Sequence, residues 1–137
     1  MKLRAVVVAL LMLAFAALAV ADDKVKAAEA ASEAWLKFVD SGDYSQSYEQ
    51  ASPLFKAALT EQQWEQKTRA ARQPLGALLS RTLKSAQYTT TLPGAPDGQY
   101  VVIEYDTSFA DKKSAIETVT PMLDKKGQWR VAGYYIK

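Results

Sequence analysis

Residues 60–91, TEQQWEQKTRAARQPLGALLSRTLKSAQYTTT, contain the change of period that decides the fold. Thr60 followed by Gln63 is a capping-box pattern, and the helix it opens carries Trp64 and should run to about Arg72. Pro74 and Gly76 end it. From Leu78 to Thr91 the helical spacing is gone and threonine is frequent, which reads as one long or broken strand.

Toward the N-terminus, Asp23 to Ser41 has an acidic cap, alanine-rich helix formers and a stop at Gly42. Its Val25, Ala28, Ser32, Trp35, Leu36 and Val39 fall on one stripe. Asp43 can cap a further helix through Ala51, and Ser52-Pro53 opens a short one through Leu59, with proline at the first helical position. Toward the C-terminus, Leu92 to Gly98 holds two prolines and two glycines and is a loop. Strands follow over Gln99–Phe109, Ser114–Asp124 and Gln128–Ile136, and Lys125-Lys126-Gly127 fits a three-residue hairpin turn. Short connections make these strands antiparallel neighbours. The expectation is an α+β domain: about three N-terminal helices packed on a curved four-stranded antiparallel sheet.

If Asp124 pairs with Gln128, strict alternation places Val119, Leu123, Trp129, Val131, Gly133 and Tyr135 on one face, with Val101, Ile103, Tyr105 and Phe109 beside them. That face should receive the helices. The other face would then present Val102, Ile116, Met122, Ala132, Tyr134 and Ile136, which is too apolar for a sheet that only meets water. These six residues are the expected interface, for a homodimer or another protein partner.

Met1 to Ala21 has a basic start at Lys2 and Arg4, an uncharged apolar run from Ala5 to Val20, and small residues at Ala19 and Ala21. It reads as a signal peptide cleaved after Ala21, because the run falls short of the ~20 residues that span a bilayer. A periplasmic or secreted location follows, with residues 22–137 as one domain and no stable membrane anchor after cleavage. Loss of Lys2 and Arg4 brings the 17 basic residues to 15, equal to the 15 acidic ones, so the exported chain is formally neutral. Its charges are interspersed, and no nucleic-acid partner is expected. With no cysteine and no histidine, thiol and Ser-His-Asp chemistry is excluded, and neither a metal site nor a cofactor is expected.

Several residues carry the chemistry that remains. Arg72 and Arg81 flank the Pro74-Leu75-Gly76 bend, where two guanidiniums can clamp a carboxylate or phosphate, or simply satisfy helix-end carbonyls. Asp40, Asp43 and Tyr44 cluster at the end of the first long helix and are the candidate catalytic groups, although Asp43 also suits a helix cap. Glu104 and Asp106 share a strand face with Arg130 across the sheet, as an acid pair or an ion pair. Trp35 and Trp64 are candidate ligand-binding aromatics as well as candidate core.

Trp35-Leu36, Asp40 to Tyr44, Trp64, Arg72 to Gly76, Ser80-Arg81, Pro93-Gly94, Asp97-Gly98 and Gly127 to Tyr135 together resemble the DUF4019 family of exported bacterial proteins. The resemblance covers nearly the whole exported chain and implies a single exported domain with no assigned activity. The leading helices, the meander and the closing Gly127-Gln-Trp-Arg-Val131 strand are similar in architecture to the cone-shaped fold of nuclear transport factor 2, limonene epoxide hydrolase and ketosteroid isomerase. That likeness implies a pocket at the cone's open end and transfers no function. Three functions are therefore expected in turn: a non-enzymatic domain binding a small molecule or protein, an isomerase or hydratase using a carboxylate, and a structural subunit associating through its sheet.

Overall fold

The computed structural model describes the backbone of residues 2–137 and the side chains of residues 21–137. The signal-peptide reading of Met1 to Ala21 lies, but for Ala21, outside the residues with described side chains. The elements are α1 (Lys2–Asp40), α2 (Tyr44–Glu49), α3 (Pro53–Ala58), α4 (Glu61–Arg72), a short 3-10 turn (Gln73–Leu75), β1 (Leu78–Thr89), β2 (Tyr100–Phe109), β3 (Lys112–Leu123) and β4 (Trp129–Ile136). The helices pack on an open antiparallel sheet of four strands in the order β1-β2-β3-β4, an α+β fold. Among the described residues the helices number four, in keeping with the expected group of about three, and α2 and α3 each carry a cap of their own. Asp43 accepts from the Gln46 amide and Ser52 from the Phe55 amide. The Thr60 to Gln63 capping box is complete in both directions.

The apolar stripe of α1 lies over the sheet. Ala28, Ser32, Trp35, Leu36 and Val39 are buried against Val101, Ile103, Tyr105, Val119 and Val131. Ser32, a polar residue in that stripe, is satisfied by the Tyr105 hydroxyl, which donates to its Oγ at 3.0 Å. Trp35, Phe55, Trp64 and Tyr134 stack as a cluster, with Trp35 5.6 Å from Trp64 and 5.4 Å from Tyr134 between ring centroids. Among the described residues no helix is long and apolar enough to cross a membrane.

The β3–β4 hairpin closes as expected, Asp124 pairing with Gln128 and Gly127 taking a positive φ of 77°. Alternation then fails beyond Val131. The pairing jumps from Pro121↔Val131 to Thr120↔Gly133, so Ala132 is the extra residue of a bulge. Proline has no N–H to give a ladder, and the strand accommodates Pro121 at this irregularity. One extra residue inverts every later side chain. Tyr134 and Ile136, opposite Val119 and Glu117, therefore turn to the helix-facing side, and Tyr135 is left 60% exposed on the other. The expected outer face loses Tyr134 and Ile136 by this inversion. It keeps Val102, Ile116 and Met122 as half-buried residues, with Ala132 in the bulge itself. Tyr100, also on that side, is buried, and its hydroxyl donates to the Pro96 carbonyl at 2.6 Å, so the Leu92 to Gly98 loop covers that end.

Candidate functional site

The inversion at Ala132 brings Tyr134 into a buried polar cluster that joins several elements. Asp40, at the end of α1, receives Arg72 Nη2 from α4 at 2.9 Å and Arg81 Nη1 and Nη2 from β1 at 2.8 and 2.9 Å. Arg81 reaches on to Glu117 of β3, its Nε and Nη2 donating at 2.7 and 3.1 Å. Glu117 accepts further from Thr107 of β2 at 2.7 Å and from the Tyr134 hydroxyl through a short hydrogen bond. Arg72 closes the ring with a weak contact to the same hydroxyl at 3.5 Å, its guanidinium lying over Phe109. Arg72 and Arg81 do clamp a carboxylate, but it is the protein's own Asp40.

Burial alone would raise the Asp40 carboxyl, yet the hydrogen bonds and charge of Arg81 and then Arg72 outweigh it and hold the group below the ordinary aspartate value of 3.8. Burial, reinforced by the Glu117 charge, pushes the Tyr134 phenol well above its usual range. A carboxylate so bonded has its lone pairs engaged and is a poor proton acceptor near neutrality. The two guanidiniums and two carboxylates balance in formal charge, so the cluster has the make-up of a structural lock.

The remaining sequence candidates fall elsewhere. Asp43 caps α2, and Tyr44 is buried under the Arg69 guanidinium, 5.3 Å from its ring centroid. Trp35 and Trp64 are core residues, their indole N–H groups donating to Ser47 O at 2.7 Å and Ser47 Oγ at 2.9 Å. Arg130 does not meet Glu104 or Asp106. It bonds Asp124 at 3.1 Å, while Glu104 stands 4.0 Å from Lys84. Sequence reading missed Glu117. Its one signal was an acid at the inward parity of β3, two residues before Val119, where an unpaired charge would be costly.

Several open depressions surround this centre, among them one of about 280 Å³ lined by Asp40, Tyr44, Arg72 and Gly76, and two larger ones. A cleft of about 700 Å³ lies between α2–α3 and the β3–β4 hairpin, with Glu49, Lys56, Asp124, Lys125, Lys126 and Arg130 around it. Its best-placed acid, Asp124, is already bonded by Arg130 and by the Lys126 and Gln128 amides. A groove of about 430 Å³ runs between α3–α4 and the last residues of β4. Phe55, Leu59, Trp64 and Ala71 form its helix wall, Ala132 to Ile136 its strand wall, and Lys67 is the single charged residue lining it among the described residues. Among the described residues no metal-ligating cluster is present.

No curated protein matches the chain. A family model described as a protein of unknown function, DUF4019, matches residues 31–134, from within α1 to Tyr134, and the chain belongs to that family.

Proposed function

We propose that the protein is an exported, non-enzymatic binding domain whose site is the groove between α4 and the end of β4. The observation that carries this reading is the groove's composition: an aromatic and aliphatic wall, small residues opposite, and one charge at Lys67. Binding sites are concave and mostly apolar with few polar groups, and this depression fits that description better than the mixed-charge cleft near Lys125. The carboxylate hypothesis finds no support in Asp40 or Glu117, whose oxygens are engaged by arginine, threonine and tyrosine donors. Export rests on the features of Met1 to Ala21.

The test uses anilinonaphthalene sulfonate as an apolar probe. Its fluorescence should rise with the wild-type protein, and its apparent affinity should fall about tenfold for Ala71→Glu, a substitution at an exposed helical position that fills the groove. Equal binding by both proteins would remove the groove from consideration.

A second reading, association through the sheet, retains the half-buried strip of Val102, Ile116 and Met122 on the side away from α1. Ile116 is the residue that tests it. Sedimentation should show a complex that Ile116→Lys splits, and a wild type monomeric at high micromolar concentration would end it.

A further inference from the structure

The strand wall of the groove is a sheet edge, and its hydrogen-bonding pattern selects the occupant. Ile116 and Lys137 exchange both backbone hydrogen bonds, at 3.0 and 2.9 Å. By antiparallel alternation Tyr135, opposite Thr118, also turns its N–H and C=O toward β3, and Tyr134 and Ile136 turn theirs outward. The upstream part of this edge is closed, because the Val131 carbonyl accepts from the Ser52 amide at 2.8 Å. At Tyr134 and Ile136 no such partner is present among the described residues. Open backbone groups two residues apart, next to an apolar wall, are what an added strand satisfies.

The other edge of the sheet is blunted. β1 is interrupted by irregularities at Leu78/Ser80 and Leu83/Ser85 and carries Lys84, devices that discourage strand pairing. The end of β4 carries no charged residue between Val131 and Ile136. Among the described residues Lys67 supplies the only charge lining the groove and is exposed, so the complementary occupant brings an acid there.

Resting on the groove reading above, we propose that the site takes an extended peptide segment, which adds as a strand to the free half of β4. The segment has an apolar side chain at every second residue and an acidic residue beside Lys67. The main chain of the partner bonds Tyr134 and Ile136, and its alternate side chains enter the wall of Phe55, Leu59, Trp64 and Ala71.

The experiment pans a random displayed-peptide library on the exported protein, then follows backbone amide exchange with a winning peptide bound. Alternating apolar winners with an acidic residue are expected, and the Tyr134 and Ile136 amides should gain protection. Ile136→Pro removes an outward N–H without removing a ladder bond, and should weaken the peptide by about tenfold, as should Ala71→Glu. Thermal melts confirm that each variant folds. No enrichment over the Ala71→Glu protein, or protection at other amides, overturns the proposal. So does protection of these two amides that depends on protein concentration without peptide, which would make a second copy the occupant. Decanoate separates the two levels: if it shifts groove resonances while no peptide does, the groove stands and the peptide falls, and if neither binds there both fall.

Discussion

Glu117 is fully buried and accepts from Arg81, Thr107 and Tyr134, so removing its charge leaves Arg72 and Arg81 sharing the single carboxylate of Asp40 in the interior. Breaking one side of a buried pair costs about 3 to 5 kcal/mol, and Glu117→Gln should lose that much in denaturant melts while Glu104→Gln, at an exposed pair 4.0 Å from Lys84, loses under about 1 kcal/mol. Equal small losses would mean that the cluster is not the lock described. Asp40 adds a pH signature. Its folded carboxyl is depressed below the ordinary 3.8, so the stability it contributes is present above that value and disappears as pH falls through the folded one. Melting at pH 7 against melting near pH 3 should show a larger acid loss for wild type than for Asp40→Asn, which has no proton to take up. A parallel decline would remove Asp40 from the acid response. Among the aromatics, Trp35 is buried and Trp129 only half-buried, so Trp35→Ala should cost about 3 to 5 kcal/mol and Trp129→Ala clearly less.

Among the elements, the caps, the prolines and the stripe of α1 were legible in the sequence, since each depends on neighbours in the chain. Thr60 with Gln63, Ser52 with Pro53 and Asp43 with Gly42 announce their own boundaries. What escaped depended on residues distant in sequence. The parity of Tyr134 follows from Pro121 across the hairpin, and the alternation of β4 alone contains no sign of the bulge at Ala132. The Arg72 and Arg81 candidates were visible as charges, but their shared partner Asp40 lies 32 and 41 residues away. The joints between elements can be compared through two glycines. Gly127 has φ of 77° and open space where a Cβ would stand, so Gly127→Ala should cost about 1 kcal/mol from conformation alone. Gly76 has φ of 73°, and a Cβ there would come within 2.7 Å of Asp111 Oδ2. Gly76→Ala should therefore melt lower than Gly127→Ala. The reverse order would mean that the joint between α4 and β1 is looser than its geometry.

Across the whole molecule, a packed aromatic centre and a charge-balanced polar cluster occupy the space between helices and sheet. At the rim, the groove beside β4 combines an apolar wall with an open backbone edge. Processing is tested independently: intact mass of the exported protein should begin at Asp22, and a mass retaining Met1 to Ala21 would defeat the signal-peptide proposal. Binding at the groove is read most directly from an amide chemical-shift map of the isotope-labelled protein titrated with anilinonaphthalene sulfonate. Shifts should be confined to Leu59, Lys67, Ala71 and the run from Ala132 to Ile136. Shifts centred instead on Met122 to Lys126, or on Val102 and Ile116 across the sheet, would contradict binding at the groove.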